Sequence, residues 1–534
     1  MTGFRQTLMA TALAVALVVP TASQQVLAET PADTLVIADR IDDIVTLDPA
    51  EAFEFAGIEL IHNVYDKLVT FDPNDLGPLQ PSLAESWDVS KDGLTYTFKM
   101  REGAEFHSGN PVTAHDAEFS LRRVVILEQT PSFIITQFGF TKDNVEETIR
   151  ATDERTLVLT VDQPYAPSFV LNCLTAGIAS IVDKETVMAN EKDGDLGHDW
   201  LKTNSAGSGA YSVRSWKPNE SYVLDVNENY WRATPAMKRV FVRHIGESAT
   251  QRLLLEKGDV DIARYLSPED VDAISGKDGI KVETDLKGRL MYIAFNQKHP
   301  VLSKPQVVEA LKHLVDYEGM AGSFLRGQYQ VHQAYLPLTY LGELKDQPYK
   351  LDVEKAKALL VEAGEPEGFP VKIFVRNAQE RLEIAQSLQN TFGQAGIETE
   401  LITGTGKQIL TSYRARNHEI YLGAWGPDYP DPHTNADTFS HNVDNSDEAQ
   451  LTGKLAWRNA WDPGELNKMT EAAVLERDSD TRAEMYRTIQ RRHQSESPFA
   501  VMFQQSIQSG MQANIEGFVT GGAITDAYYW TVTK

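Results

Sequence analysis

The segment Gly423–Pro432 carries the side chains best suited to bind a charged ligand. It is a loop stiffened by prolines, and in it Asp428 lies between two large aromatic residues, Trp425 and Tyr429. An ionised aspartate accepts charge-assisted hydrogen bonds from an ammonium group, and an aromatic ring adds an apolar wall with a negative face. The loop therefore predicts a site for a cationic group. The alternative is a rigid exposed turn, because Pro and Asp are common in turns.

Motifs of the common catalytic classes are missing. The sequence contains no HExxH, no GxSxG and no GxxxxGK[ST], and Gly404–Lys407 lacks the upstream glycine of a phosphate-binding loop. His107 and His115 are the close histidine pair that one element could share, and no third metal ligand of known spacing accompanies them. We therefore expect no catalytic residues, no metal site and no cofactor, and a secreted hydrolase is kept only as a remote alternative.

The binding loop follows the last strand of a predicted β-α-β-α-β unit. Apolar residues alternate in three short runs, which predicts strands, and recur at helical spacing between those runs. The predicted elements are strands at Val371–Val375, Ile397–Leu401 and Glu419–Trp425, and helices at Ala385–Ala395 and Gln408–Arg416. Strands joined in this way are parallel, and ligands of open parallel sheets lie beyond the carboxyl ends of the strands.

Arg376 follows the first of these strands and Asp428 follows the third. The first and third strands of such units are commonly neighbours, and neighbouring strands lie about 4.8 Å apart. Loops and side chains can widen the gap between the two charges by several ångströms, and a dipeptide in extended form separates its charged ends by roughly 6–7 Å. The sequence therefore places a cationic and an anionic side chain at one sheet edge, at a spacing that suits a zwitterion.

Composition excludes several classes of partner. The chain has 534 residues, with 76 acidic against 50 basic side chains and a formal net charge of −26. Such a surface repels phosphate backbones and anionic lipid, so we expect no nucleic-acid binding and no membrane insertion. The single cysteine, Cys173, excludes an intramolecular disulfide, and its apolar neighbours predict a small buried side chain.

The first 28 residues have the pattern of a secretory signal peptide. Arg5 precedes an apolar run from Leu8 to Val19, and the small residue Ala28 closes a cleavage-site pattern. The apolar run is too short to span a membrane. We expect export, with cleavage after Ala28.

Three other segments give local expectations. Thr34–Ala38 reads as a strand, and Ala56–Val69 carries apolar residues at helical spacing. The acidic cluster from Asp437 to Glu448 reads as a solvated loop.

A series of different sequence blocks, in a defined order, extends along nearly the whole chain after residue 28. They are Pro81–Trp87, Asp92–Phe98, Arg101–Gly103, Phe106–His107, Gly207–Tyr211, Asn229–Trp231, Phe295–Asn296, Lys304–Asp316, Asp352–Gly364 and Trp425–Pro432. In order and content these blocks resemble the solute-binding proteins of peptide and nickel ABC importers, the bacterial extracellular family 5. Ser108 and His115 depart from the pattern, since acidic residues are usual at both positions.

The resemblance implies an α/β fold of the two-lobed periplasmic-binding-protein type, a large clamshell with a hinge and an accessory subdomain. By resemblance, lobe I comprises residues 29–66, 203–290 and 504–534, with the accessory subdomain at 67–202. Lobe II would comprise residues 291–503, which include the predicted parallel unit.

The resemblance also implies a function. The protein would capture a dipeptide or short oligopeptide in the periplasm and deliver it to the permease subunits of an ABC transporter, as a monomer and without catalysis. Asp428 would hold the α-amino group, Arg376 the carboxylate, and Trp425 and Tyr429 would contact the ligand. A non-peptide cargo on the same scaffold (an opine, a polyamine, a metal chelate or an oligosaccharide) is the alternative.

Overall fold

The computed structural model describes residues 30–72, 75–520 and 527–534. The expected signal peptide, residues 1–28, lies outside the described residues. Within the described ranges, each helix is too short or too polar to cross a lipid bilayer.

Strands and helices alternate along most of the described chain. The strands are β1 Thr34–Asp39, β2 Val69–Asp72, β3 Asp75–Pro81, β4 Ala84–Val89, β5 Thr95–Met100, β6 Ile149–Asp153, β7 Thr156–Thr160, β8 Tyr211–Lys217, β9 Ser221–Val226, β10 Arg239–His244, β11 Ile262–Ala263, β12 Ile280–Phe295, β13 Tyr329–Val331, β14 Pro370–Arg376, β15 Glu398–Gly404, β16 Ile420–Trp425, β17 Phe499–Gln512, β18 Val519–Thr520 and β19 Ala527–Tyr528. The helices are α1 Phe55–Val64, α2 Ala114–Leu127, α3 Phe133–Thr136, α4 Val145–Thr148, α5 Pro167–Cys173, α6 Lys184–Ala189, α7 His198–Leu201, α8 Ser248–Lys257, α9 Pro268–Ile274, α10 Pro305–His313, α11 Tyr317–Gly322, α12 Val353–Glu362, α13 Gln379–Gly393, α14 Gly406–Arg414, α15 Pro432–Ser440, α16 Leu455–Arg458, α17 Glu465–Leu475 and α18 Ser479–Glu496.

One large mixed sheet organises the molecule. Its strands follow the order β15-β14-β16-β12-β17-β11-β1-β10-β9-β8, and β13 pairs with β17. The predicted strand at Thr34–Ala38 is confirmed as β1, which runs parallel to β10 and β11. The mixture of parallel and antiparallel pairs, covered by helices, is the predicted α/β architecture.

The predicted β-α-β-α-β unit is confirmed. β14 pairs in parallel with both β15 and β16, so the first and third strands are neighbours. Val371, Ile373 and Val375 alternate as buried residues along β14, and they share a core with Leu388 and Phe392 of α13. The apolar face of the strand therefore packs against the apolar face of the helix, and this packing stabilises the unit.

Two long antiparallel strands, β12 and β17, connect the halves of the sheet. Their pairing is interrupted between Leu286 and Leu290. From Leu290 onward β12 packs into the cores beside the parallel unit, whereas Ile280 and Val282 pack against the core around β11. We propose this interruption as the hinge, so that the boundary between the lobes crosses β12 near Leu290 and β17 near Gln504.

An antiparallel sheet in the order β4-β5-β7-β6 forms a separate layer. Helices α2 and α5 pack on it around one core that also contains the buried Cys173. Thr113 begins α2 with a capping box, since its side chain and that of Asp116 each hydrogen-bond to the other's backbone N–H. We propose residues 67–202, which include this layer, as the accessory subdomain.

The helix predicted for Ala56–Val69 is shorter than expected. α1 ends at Val64, and Leu68 lies beyond it, just before β2. The backbone N–H of Gly209 donates to the Val64 carbonyl over 2.9 Å, and a Cβ at Gly207 or Gly209 would overlap that carbonyl. The approach of this distant segment takes the place of the next helical turn, while Leu68 stays buried in another core.

Candidate ligand-binding site

A cavity of about 580 Å³ lies between residues 53–177 and residues 340–458. Its volume is within the range of small-molecule sites, which are about 300–1,000 Å³. The binding loop predicted from the sequence forms part of its wall, with Trp425, Asp428 and Tyr429 among the lining residues. The sequence-predicted loop is therefore not an exposed turn.

The loop is held at both ends by regular structure. Trp425 is the last residue of β16, and its indole N–H donates to the side-chain oxygen of Asn435 on α15 over 3.1 Å. Asp431 caps α15 by accepting the backbone N–H of His433 over 2.9 Å. The loop therefore connects the carboxyl end of a buried parallel strand to the start of a capped helix, with few free dihedral angles between them.

Asp428 is a half-buried carboxylate with no cationic partner among the described residues. Its side chain accepts a long hydrogen bond of 3.4 Å from the Thr434 hydroxyl, and its backbone N–H donates to the same hydroxyl over 3.2 Å. Burial raises the pKa of Asp428 to about 7, and the Thr434 contact lowers it only in part. A carboxylate desolvated in this way gains most from a ligand that supplies a positive charge.

Tyr429 is buried, and its ring packs toward the accessory layer. The ring lies 5.9 Å from Phe169, and the hydroxyl donates to the side-chain oxygen of Gln137 over 3.5 Å. Although it borders the cavity, most of its surface is used to attach the loop to residues of α5 and its surroundings. Of the two aromatic side chains on the loop, Trp425 is the more exposed.

Arg376, unlike Asp428, is not among the described residues that line this cavity. It is exposed at the end of β14, it is absent from the described cavity lining, and its guanidinium lies beside Gly406. The register pairs Val375 with Leu422, so Arg376 lies level with Gly423, which is five residues before Asp428 in the chain. The neighbouring strands were predicted and are observed, but the described cavity lining contains only Asp428 of the two charged residues.

Two other arginines line the cavity. Arg458, at the end of α16, is buried, its Nε donates to the Thr452 carbonyl over 2.6 Å, and its guanidinium lies 5.2 Å from the Tyr413 ring centre. Arg414, at the end of α14, is exposed; desolvation and the charge of nearby Arg458 lower its pKa from the usual value. Neither arginine forms an ion pair with a described carboxylate.

Asp437 was expected in a solvated loop, but it lies in α15 and faces the cavity. Lys454 donates to it over 2.6 Å and His441 contacts the same oxygen at 2.8 Å, which holds the pKa of Asp437 well below its usual range despite burial. This acid is therefore already neutralised within the protein. The sequence signal for a helix here was Asp431 followed by Pro432, a helix-capping residue and a proline at the first helical position.

The comparisons identify the family. The family model of "Bacterial extracellular solute-binding proteins, family 5 Middle" matches residues 78–447. The chain belongs to this family. Members of family 5 are solute-binding components of ABC importers, so the predicted family is confirmed.

The relatives of this family 5 protein include several cargo classes. It is 29% identical to the probable D,D-dipeptide-binding periplasmic protein DdpA of Escherichia coli K12, over 97% of this chain and 96% of DdpA. It is 26% identical to heme-binding protein A of Haemophilus influenzae, over 87% of this chain and 86% of that protein. Family membership therefore does not fix the ligand.

A solved structure confirms the fold. The periplasmic binding protein DppA of Helicobacter pylori, in complex with the peptide STSA, superposes with a TM-score of 0.79 at 23% identity, covering 94% of this chain and 98% of that one. The predicted α/β fold of the periplasmic-binding-protein type is confirmed. Among the described residues, no group of three or more His, Cys, Asp or Glu side chains could hold a metal ion.

Proposed function

We propose that this family 5 protein is the periplasmic component of an ABC importer that captures a dipeptide or short oligopeptide between its lobes and delivers it to the permease. The observation that carries the proposal is the pair of uncompensated charges in one cavity. Asp428 lacks a cation, and the buried Arg458 lacks a carboxylate, among the described residues.

The amino end of the peptide is assigned to Asp428. A buried carboxylate is costly unless it is paired, and an incoming ammonium group provides both the charge and the hydrogen-bond donors. Trp425 lies on the same loop and borders the same cavity, so its ring can cover the apolar atoms next to the ammonium.

The carboxylate end is assigned to Arg458, with Arg414 beside it, in place of Arg376. The guanidinium of Arg458 is held by the Thr452 carbonyl and the Tyr413 ring, which leaves it pre-oriented. Arginine binds carboxylates through two parallel hydrogen bonds, which gives direction as well as charge.

Capture requires that the ligand favours the closed arrangement of the lobes. Moving an equilibrium from 1:99 to 99:1 takes about 5.5 kcal/mol of differential affinity. One ammonium–carboxylate contact contributes less than this, since charged hydrogen bonds are worth about 1.5–3 kcal/mol each. Contacts at the second charge and along the cavity wall must therefore add to it.

We expect binding to depend on pH through Asp428. The ammonium group pairs with the ionised carboxylate, and burial raises the pKa of that group to about 7. Below this pH, binding must first release the proton, so affinity should decrease from about pH 7 to pH 5, approaching tenfold per unit. Calorimetric titration of Leu-Leu across this range checks the slope, and a flat profile would contradict the role of Asp428.

We expect Arg458→Gln to weaken binding of Leu-Leu by about tenfold, because one charge-assisted contact to the carboxylate is lost. Leu-Leu amide has no terminal carboxylate, so the same substitution should leave its affinity unchanged. Arg376→Gln is the matched control and should alter neither affinity. If Arg376→Gln, and not Arg458→Gln, weakened Leu-Leu, the carboxylate would be assigned to the wrong arginine.

Titration with competing cargo classes tests the function as a whole. Leu-Leu, haem, a nickel–histidine chelate, an opine, a polyamine and an oligosaccharide would each be titrated into the purified protein. We expect binding of the peptide, and mass spectrometry of the recovered peptide should show that it is uncleaved. Binding of another class alone, or cleavage, would refute the proposed function.

We also propose that the protein is exported, on the signal-peptide pattern, and that it is a monomer, on the family resemblance. Cleavage after Ala28 predicts that the mature chain begins at Glu29, which N-terminal sequencing of the periplasmic protein tests. We propose a monomer that contacts only its ligand and the permease, and light scattering tests the monomer directly.

A further inference from the structure

The two sides of the cavity differ in chemistry. Residues 340–458 provide its carboxylates, its arginines and Lys454. Residues 53–177 provide mainly apolar or small side chains, among them Phe53, Phe55 and Phe133, and their one ionisable group in the described lining is His62. The charged side chains of the lining therefore come mainly from one part of the chain, and the other part contributes mainly hydrocarbon.

Phe55 and Phe133 are unusually exposed for phenylalanines. Their side chains are 42% and 41% exposed, and both border the cavity. Phe133 meets Phe53 edge to face, with ring centres 6.1 Å apart and ring planes at 86°. Phe55 begins α1 and Phe133 begins α3, so separate elements bring the rings to one wall. We call Phe53, Phe55 and Phe133 the aromatic wall.

We propose that the aromatic wall binds a bulky apolar side chain of the peptide, so that the cargo class is short peptides containing residues such as Leu, Ile, Met or Phe. This inference rests on the proposed function. Contact with apolar atoms removes exposed aromatic surface from water, which is favourable, and the aromatic wall lines the same cavity as Asp428 and Arg458. A peptide held at both ends turns its side chains toward the remaining walls.

The aromatic wall also explains how the ligand can favour closure. Both termini of the peptide bind to one side of the cavity, so they contribute little to the free energy of closing the lobes. The apolar side chain is the part that reaches the other side, and its burial is gained only when both sides surround it. Peptides without such a side chain should therefore bind more weakly, although their termini are identical.

The test compares Leu-Leu with Gly-Gly in calorimetric titrations of four proteins. These are the unaltered chain, Phe133→Ala, Phe55→Ala, and Val443→Ala as a control for loss of an exposed apolar side chain, since Val443 is 64% exposed and absent from the described lining. We expect the unaltered chain to prefer Leu-Leu by about tenfold or more. Each phenylalanine substitution should reduce that preference at least threefold without weakening Gly-Gly, and Val443→Ala should not change it.

The outcomes separate the two proposals. If neither peptide binds the unaltered chain, the proposed function fails and this inference fails with it. If both peptides bind but the preference is absent, or survives both Phe133→Ala and Phe55→Ala, only the inference is overturned. Because both phenylalanines are partly exposed, we expect both variants to fold, and unchanged melting temperatures would verify this.

Discussion

Asp428→Asn is expected to weaken dipeptide binding by about a hundredfold. The substitution keeps the shape of the side chain and removes its charge, so the bound ammonium is left buried without a counterion. Truncating one member of a buried, hydrogen-bonded charge pair costs about 2–5 kcal/mol, and 2.7 kcal/mol corresponds to about a hundredfold. Calorimetric titration with Leu-Leu measures the loss.

The matched control for Asp428→Asn is Asp444→Asn. Asp444 is an exposed aspartate outside the described cavity lining, so its substitution changes the net charge equally and should leave the affinity unaltered. Asp428→Asn should also abolish the decrease of affinity between about pH 7 and pH 5, because the titrating group is removed. Equal affinities of Asp428→Asn and the unaltered chain would refute the amine-anchor role.

Arg482→Met is expected to lower the free energy of unfolding by about 3–5 kcal/mol, because it leaves a buried carboxylate unpaired. Arg482 on α18 donates from both terminal nitrogens to Asp431, each over 2.7 Å, and both side chains are fully buried. Burial alone would raise the pKa of Asp431, yet the Arg482 guanidinium holds it below its usual value. Denaturation in urea, followed by tryptophan fluorescence, measures the change.

The same ion pair also joins the binding loop to the accessory layer. Arg482 donates to the Ser168 hydroxyl over 3.1 Å, and Asp431 lies three residues after Asp428. We therefore expect Arg482→Met to weaken peptide binding as well as stability. Arg487→Met is the control: Arg487 lies on the same helix, is partly exposed and pairs with the exposed Glu484, so its loss should change the free energy of unfolding by less than about 1 kcal/mol. Equal stabilities of the two variants would contradict the role assigned to the buried pair.

The parallel unit was predictable from sequence because its signals are local. Alternation in Val371–Val375 and the helical recurrence of Leu388 and Phe392 describe faces that later share one core. Because a helix lies between each strand and the next, parallel pairing could be inferred without knowing which strands are hydrogen-bonded to each other. The end of α1 was not predictable, because it depends on Gly207 and Gly209 approaching Val64 from a distant part of the chain.

The charged residues of the site were only partly predictable. Asp428 could be found because an aspartate between aromatics on a proline-rich loop is unusual by itself. Arg376 follows a neighbouring strand of the same unit, but it is exposed and absent from the described cavity lining, which no local sequence signal indicates. Arg458 follows Asp428 by thirty residues and reaches the cavity through α16, so no spacing in the sequence connects the two.

A crystal structure of the protein with bound Leu-Leu tests the central claim most directly. The account predicts that the peptide's ammonium nitrogen lies within hydrogen-bond distance of the Asp428 carboxylate, about 2.7–2.9 Å. Its carboxylate should contact Arg458, and a leucine side chain should lie against Phe133. A peptide whose ammonium group lies away from Asp428, or outside the cavity between the lobes, would contradict the account.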